Sequence, residues 1–251
     1  MSSVQQELSV FNKFNFERTP VGVKFLTTRP DGIEKLDEIL DFCEMLKKAQ
    51  DEGRPFYATK EEFTCIGPLL LGMVEHDVIF ESGLVGPELE VFKEPRANKK
   101  LYQFIPRLAR GTVNYVCFSP LDKLTFEPDV LIITADSNQA EIILRANSYV
   151  SGDMWSGRGT MVAACAWLFV YPYVSGELNF TVTGWSLGMK SRRLFPDGLI
   201  LLSIPWNLLP GIVANLQEMV WVPHSHTIGR DEHKKKVRKI VERLNQSLRA
   251  D

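Results

Sequence analysis

The stretch Asp129-Val-Leu-Ile-Ile-Thr134 is a near-continuous run of apolar and β-branched residues. Such a run is typical of a β-strand that other elements cover on both faces. Directly after it, Gln139–Tyr149 carries apolar residues at the three- and four-residue steps of a helix with one buried side. The two segments together predict a strand followed by a helix, and hence an α/β or α+β fold in which helices pack on a mixed sheet.

The first half of the chain repeats this order. Val21–Leu26 (VGVKFL) follows Pro20 and predicts a strand, and the apolar residues of Ile33–Ala49 recur at helical spacing. Further strands are predicted over Thr112–Phe118, Leu178–Thr183 and Leu199–Ile204, and further helices over Lys99–Ala109, Thr160–Tyr171 and Trp206–Val220. Each half thus contains a strand, a helix, a small-residue turn, an apolar helix and a strand, which suggests an internal duplication.

The length of the chain favours one domain. A chain of 251 residues with 45% apolar content can bury a sizeable core, so we predict a single compact α/β domain over residues 19–222, with halves 19–122 and 123–222. Residues 1–18 form an N-terminal segment in this prediction. Residues 223–251 form a C-terminal tail in which Asp231–Arg249 has the spacing of an amphipathic helix with a basic outer face.

Charge and cysteine content restrict the class of protein. The chain has 29 basic and 31 acidic side chains, so nothing in its net charge favours nucleic acid as a partner. Met1–Phe16 lacks the continuous apolar core of a signal peptide, and the apolar run Met161–Val174 is shorter than the roughly 20 residues that cross a bilayer. Four cysteines without the spacing of a disulfide framework predict reduced thiols, and the sequence therefore predicts a cytoplasmic protein without a membrane span.

Cys65 occupies the sharpest local feature of the sequence. It precedes Gly67-Pro68-Leu-Leu-Leu-Gly72, where Thr64 could cap a helix that Pro68 helps to start. A helix N-terminus favours the thiolate, which attacks electrophiles and binds soft metals. The alternative is that Cys65 is only a small residue packed at a tight turn.

A glycine-rich segment in the second half is the other candidate. Ser151–Thr160 leads into Ala163-Ala-Cys165-Ala166, and backbone amides there, with Arg158, could hold a phosphate or carboxylate. The spacing matches neither the Walker nor the dinucleotide fingerprint, and an ordinary connection is the alternative interpretation. Gly184–Phe195, which contains Lys190, Arg192 and Arg193, is a second candidate for anion contact or for plain surface.

The remaining chemistry-bearing residues favour structural interpretations. Cys43 lies on the apolar stripe of the predicted helix, and Cys117 lies inside a predicted strand. His76 is eleven residues from Cys65, so a Cys–His pair would need an additional chain reversal. The chain has no CxxC pair, and its C-terminal histidines match no compact zinc motif.

Several segments together resemble one protein family. In chain order they are Pro20-Val-Gly-Val-Lys-Phe25, Cys65 with Gly67 and Leu71-Gly72, Thr112-Val-Asn-Tyr-Val116, Pro128-Asp-Val-Leu-Ile132, and Arg158-Gly159 leading to Cys165. Over Pro20 to Val220 this order resembles the bacterial and archaeal family called domain of unknown function number one hundred and sixty-nine. The resemblance implies no activity, and it marks Cys65, Arg158, Gly159 and Cys165 as positions of interest.

These observations lead to one functional hypothesis and two alternatives. The preferred one is a cytoplasmic protein that binds a small molecule or cofactor, with a soft metal centre or iron–sulfur cluster as candidate cofactors. The predicted contacts to this ligand, including an anionic group, come from Cys65, Gly67, Arg158, Gly159, Thr160 and Cys165, of which Cys65 and Cys165 are the candidate metal ligands. The alternatives are an enzyme with Cys65 as nucleophile and an interaction module without a ligand.

Overall fold

One six-stranded sheet organises the computed structural model, which describes residues 2–248. The strands are β1 (Val21–Leu26), β2 (Phe56–Ala58), β3 (Tyr115–Pro120), β4 (Val130–Ala135), β5 (Asn179–Val182) and β6 (Ile200–Pro205). They lie in the order β2-β3-β1-β4-β6-β5, and all five pairings between them are antiparallel. Parallel pairing occurs in two isolated bridges, Lys35 with Tyr57 and Leu40 with Phe63. The predicted α/β or α+β class is confirmed.

The helices of the described residues differ greatly in length. They are α1 (Ser3–Glu7), α2 (Phe42–Glu52), α3 (Gly67–Leu70), α4 (Val78–Ser82), α5 (Val85–Glu88), α6 (Pro95–Phe104), α7 (Ser137–Ser148), α8 (Tyr171–Ser175), α9 (Leu187–Ser191), α10 (Leu209–Glu218), α11 (His224–Thr227) and α12 (Arg230–Ser247). Tight 3₁₀ turns cover Leu8–Phe14, Lys60–Glu62, Leu121–Lys123 and Trp206–Leu208, and a wider π-helical turn covers Ala166–Val170. No helix among the described residues is both long and apolar enough to cross a membrane.

The strands repeat about an approximate two-fold axis between β1 and β4. At the centre Gly22 pairs with Leu131, and the pairs on either side join Val21 to Ile132 and Val23 to Val130. Each half therefore supplies one central strand (β1 or β4), one edge strand (β2 or β5) and a third strand between them (β3 or β6). The repeat has three strands in each half, whereas the sequence pattern suggested a duplicated unit of a strand, two helices and a strand.

The ends of the third strands show the same repeat in detail. Pro120 pairs with Val21 in the first half, and Pro205 pairs with Val130 in the second. A tight turn follows each proline, and its first residue donates to the residue before the central strand: Leu121 N lies 2.8 Å from the Pro20 oxygen, and Trp206 N lies 3.1 Å from the Asp129 oxygen. Matching registers and matching turn bonds make the repeat more than a coincidence of strand order.

Stacked aromatic rings join the two halves in the core. Phe42, the first residue of α2, stacks on Phe169 of the π-helical turn with ring centroids 4.1 Å apart, and it meets Phe118 of β3 edge-on at 6.0 Å. All three side chains are fully buried, with exposed fractions of 0%. Burial of aromatic rings is the largest apolar contribution that single residues make to a core. This contact holds the start of α2 beside the segment around Cys165.

Two predicted helices begin later than the sequence pattern indicated. The helix predicted over Ile33–Ala49 begins at Phe42. The residues before it stay extended because Leu36 N donates to the Tyr57 oxygen and Leu40 N donates to the Glu62 oxygen. The helix predicted over Thr160–Tyr171 begins only at Ala164 and passes into the π-helical turn Ala166–Val170. Ala163 has a φ of 58° just before it, a left-handed conformation that no regular helix contains.

Two further stretches differ from prediction, and the chain divides near its end. Glu81–Pro95, predicted to be irregular, contains the end of α4 and all of α5. The helix predicted over Lys99–Ala109 is α6, which ends at Phe104 because Pro106 follows.

The chain forms two compact units, one ending at Gln217 and one beginning at Glu218. The second unit contains the predicted C-terminal helix as α12, every residue of which is exposed.

Candidate functional site: a cysteine-lined cavity

Three of the four cysteines line one cavity of about 260 Å³. Cys43 comes from the first turn of α2, Cys65 from the segment before α3, and Cys165 from the residue before the π-helical turn. All are free thiols. The structure therefore brings Cys65 and Cys165 together across one hundred residues of sequence, and it adds Cys43.

Backbone amides hold the Cys65 sulfur in place. Phe42 N and Gly67 N donate to Sγ at 3.3 and 3.4 Å. Asp41 precedes α2 and forms a capping box with Glu44, in which the Asp41 N–H donates to Glu44 Oε2 at 2.7 Å. Asp41 Oδ1 also accepts a 2.6 Å hydrogen bond from Thr64 Oγ1, beside Cys65. The start of α2 and the Cys65 segment thus form one hydrogen-bonded unit.

Burial and neighbouring thiols raise the pKa values of Cys65 and Cys165. The pKa of Cys65 lies well above its ordinary value because the Cys165 thiol lies beside it and because it is buried, while the N–H groups of Phe42 and Gly67 oppose this rise. The pKa of Cys165 is also raised well above its ordinary value, first by the neighbouring Cys43 and then by burial, with Cys65 opposing. At neutral pH Cys65 and Cys165 are therefore neutral thiols.

Helix α6 supplies a polar wall to the same cavity. Asn98 and Tyr102 lie four residues apart on one helical face, and both line the cavity. Asn98 is only 1% exposed, and its Nδ2 donates to the Gly83 oxygen at 3.2 Å while its Oδ1 has no partner among the described residues. Burial and the nearby Cys165 raise the pKa of Tyr102 to about 12, so its hydroxyl is a neutral donor.

An ion pair between Arg192, from the second half of the chain, and Asp41 lines the cavity. Arg192 Nη2 lies 2.5 Å from Asp41 Oδ2, and Arg192 Nε lies 3.6 Å from Glu44 Oε1. Asp41 is nearly buried, and both its carboxylate oxygens are engaged, by Thr64 and by Arg192. The loop predicted as an anion-binding candidate, Gly184–Phe195, therefore does line the cavity, and its Arg192 is paired with a carboxylate of this chain.

Arg158, Gly159 and Thr160 lie elsewhere. They line a separate groove of about 400 Å³ with Phe180 and Trp185. The Arg158 guanidinium lies over the Tyr171 ring, 5.3 Å from its centroid. The structure thus separates these three residues from the thiols with which the sequence prediction grouped them, because the glycine-rich segment runs past the edge of β5 and opens no regular helix.

The backbone beside Cys165 has an unusual shape. Ala163, which lines the cavity, has a φ of 58°, and the π-helical turn Ala166–Val170 follows within three residues. A left-handed alanine costs about 1–2 kcal/mol, and π-helical turns occur often at functional sites. The surrounding fold holds this strained segment at the wall of the thiol cavity.

Cys43, Asn98 and Tyr102 were missed as site residues. A sequence signal existed for Cys43, since Asp41 and Glu44 have the spacing of a capping box and place Cys43 in the first turn of a helix. The four-residue spacing of Asn98 and Tyr102 was also readable, but nothing local shows that α6 covers a cavity.

His76 and a preformed metal-binding cluster are two further arrangements that the sequence left open. His76 lies within 4 Å of Glu75 and Glu81, is largely exposed and does not line the cavity, so Cys65 has no imidazole beside it. Over residues 2–248, no three His, Cys, Asp or Glu side chains are arranged so that they could hold a metal ion. The thiols therefore line a cavity and do not form a ready coordination shell.

Comparison with known proteins identifies the family. An uncharacterised protein of Methanocaldococcus jannaschii, MJ0308, is 29% identical over 197 residues, which cover 76% of this chain and 83% of that protein. No solved structure matches the chain. The profile of the family described as "Uncharacterised ArCR" (DUF169) matches residues 11–215, which contain the sheet and all the cysteines. This chain is therefore a member of the DUF169 family.

Proposed function

We propose that this protein binds a small molecule or cofactor in the cysteine-lined cavity, with Cys65 and Cys165 in contact with the ligand. The observation that carries the proposal is the convergence of three free thiols, from three separate elements, on one cavity. Mostly apolar walls with a few placed polar groups are the usual composition of a ligand site. Free thiols without disulfides also support a reducing compartment, and we propose the cytoplasm.

The state of the thiols supports binding more than nucleophilic attack. A nucleophilic cysteine needs a thiolate or an adjacent base, and here the raised pKa values leave Cys65 and Cys165 protonated. The two N–H groups that donate to Cys65 Sγ favour an enzyme as the second candidate, because they would stabilise a thiolate once it formed. Turnover that Cys65→Ala abolishes and chelators leave unchanged would favour that candidate.

A soft metal centre or iron–sulfur cluster is a narrower version of the proposal. Cys65 and Cys165 would be its protein ligands, and metal binding would release their protons. Since the described residues hold no ready coordination shell, such a metal would take its other ligands from the bound molecule. An anionic ligand group, if one is bound, would lie in the Arg158 groove and occupy a second site.

The test is to identify what copurifies with the protein. Wild-type protein is purified without oxygen, and its absorption spectrum, metal content and denaturation-released small molecules are compared with those of Cys65→Ser, Cys165→Ser and Cys117→Ser. Cys117 is buried in β3 outside the cavity and is the matched control. We expect a bound component in the wild type and in Cys117→Ser, and its loss in the other two variants.

Two results would contradict the proposal. One is a component retained equally by all four proteins, which would place it outside the cavity. The other is wild-type protein that carries nothing and whose cavity thiols react with a small alkylating agent no faster than Cys117. The second result would favour an interaction module without a ligand.

A further inference from the structure

We infer that α12 binds the surface of an anionic lipid membrane, with one apolar face against the acyl chains and basic side chains on both margins at the lipid headgroups. Such a helix lies in the membrane surface and does not cross it. The helix belongs to the compact unit that begins at Glu218, whereas residues of the unit that ends at Gln217 line the thiol cavity. Membrane binding by α12 is therefore a role distinct from ligand binding in the cavity.

The apolar face of α12 is a stripe of exposed aliphatic side chains. Its members are between 38% and 77% exposed. At about 100° per residue, they fall within about 100° of one another around the helix axis. The stripe residues are Val237, Ile240, Val241 and Leu244 of α12 and Leu248, which follows the helix directly. Because these side chains adjoin one another, a partner surface would remove the whole stripe from water at once.

Basic side chains border the stripe on both sides. Lys234 and Arg238 lie within about 60° of one edge of the stripe, and Lys236 and Arg243 lie within about 60° of the other. All four are exposed. The acidic side chains of the helix lie at least about 130° from the middle of the stripe. They are Asp231, Glu232 and Glu242. The face of α12 that contains the stripe is therefore apolar at its centre and positive at both margins.

Basic charge is concentrated in this helix. α12 has seven basic and three acidic side chains, whereas the whole chain has 29 and 31. Each Lys or Arg close to an anionic membrane surface strengthens binding about fivefold. Long basic side chains also keep their charged ends at the headgroups while their aliphatic parts lie along apolar surface. The charge pattern of α12 is thus complementary to a layer of anionic headgroups.

Other occupants of the stripe fit this pattern less well. A second copy of the helix, parallel or antiparallel, would bring basic margins beside basic margins, and like charges there oppose pairing. Nucleic acid would contact the cations and leave the stripe in water. The strongest contacts in protein interfaces come mostly from Trp, Tyr and Arg, whereas the stripe contains only Val, Ile and Leu. An anionic membrane surface uses both the stripe and its margins.

Vesicle sedimentation of the reduced full-length protein measures this binding. One set of vesicles is phosphatidylcholine alone, and the other contains about one third phosphatidylserine. At about 0.1 M salt we expect at least about tenfold tighter binding to the vesicles with phosphatidylserine. At about 0.5 M salt this preference should largely disappear, because salt screens the attraction between the margins and the headgroups.

Two serine variants distinguish the stripe from the far face of the helix. Leu244→Ser removes an aliphatic side chain from the stripe and should weaken binding to the phosphatidylserine vesicles at least about fivefold. Gln246→Ser is the matched control, because Gln246 lies about 170° from the middle of the stripe. It should change the binding by less than about twofold. Circular dichroism checks that both variants keep the helical content of the wild type.

A second measurement uses the wild-type chain alone. Vesicles with phosphatidylserine should slow amide hydrogen exchange in α12 and leave exchange in α7 unchanged. Equal affinity for the two kinds of vesicle, or equal losses in Leu244→Ser and Gln246→Ser, would overturn the inference. Self-association that Leu244→Ser abolishes would also overturn it, because a second copy would then occupy the stripe. Absence of vesicle binding would overturn it as well and leave an acidic protein or nucleic acid as the partner of α12.

Discussion

The raised pKa values of the cysteines make stability depend on pH. Cys65 and Cys165 have pKa values well above the ordinary one, and burial raises the pKa of Cys117 to about 12. In the unfolded chain these thiols ionise near pH 8.5, so above that pH the unfolded chain loses protons that the folded chain keeps. The free energy of unfolding is therefore greatest below pH 8.5 and falls as pH rises toward the folded pKa values.

Urea denaturation at pH 7.5, 8.5 and 9.5 measures this effect. Each thiol contributes a slope of up to about 1.4 kcal/mol per pH unit. We expect Cys117→Ser and Cys65→Ser each to reduce the fall between pH 8.5 and 9.5. The range stays below the region where lysines titrate. A free energy of unfolding that is flat over this range would show that the folded thiols titrate normally.

The ion pair between Asp41 and Arg192 gives a second prediction at the scale of residues. Arg192→Leu leaves the nearly buried Asp41 carboxylate with Thr64 as its side-chain donor. We expect a loss of about 1–3 kcal/mol in the free energy of unfolding, at the lower end because Arg192 is partly exposed. Lys190→Ala, an exposed cation of the preceding helix, is the control and should change it by less than about 0.5 kcal/mol.

At the scale of elements, one glycine determines how the α4–α6 region packs. Gly83 ends α4 with a φ of 77°, and a Cβ there would lie 2.3 Å from the Pro95 oxygen and 2.8 Å from Lys99 N. Gly83→Ala combines a left-handed alanine, at about 1–2 kcal/mol, with a backbone collision worth about 1–3 kcal/mol. We expect faster amide hydrogen exchange in α6 and a lower urea midpoint.

Gly53→Ala separates these two contributions. Gly53 ends α2 with a φ of 62°, and a Cβ there would meet nothing within 4 Å. It should lose only the conformational part, about 1–2 kcal/mol, without a change in hydrogen exchange at α6. Equal losses in the two variants would contradict the close approach of α6 to Gly83.

Most elements could be predicted from the sequence, because local residue patterns indicate them. The strand run Asp129–Thr134 became β4, and the periodic stretch Gln139–Tyr149 became α7. The helix predicted from Ile33 failed at its start, since hydrogen bonds to the carbonyl oxygens of Tyr57 and Glu62 hold its first residues extended, and those partners lie more than twenty residues away. Strand β2, with only three residues, was too short for its alternation to be recognised.

The same limit applies to the site. The sequence singled out Cys65 and Cys165, but their meeting depends on Phe42 stacking on Phe169, a contact between distant segments. The grouping of Arg158 with them failed for the same reason, because a single sequence does not show on which side of a strand edge a loop lies.

At the scale of the whole molecule, the cavity belongs to both halves of the repeat. Cys43 and Cys65 come from the first half, and Cys165 and Arg192 come from the second. The repeat itself relates strands and their turns, whereas the cysteines have no symmetry mates at corresponding places in the printed sequence. The duplication thus supplies the sheet, and the insertions between strands supply the site.

This division predicts which part of the chain the site needs. The DUF169 match ends at residue 215 and the first compact unit ends at Gln217, whereas every residue of α12 is exposed. A chain truncated after Val222 should therefore keep the thermal midpoint of the full chain to within about 2–4 °C, which corresponds to about 1 kcal/mol. It should also keep the alkylation rates of the three cavity thiols. A larger fall in the midpoint, or faster alkylation of the cavity thiols, would contradict this prediction.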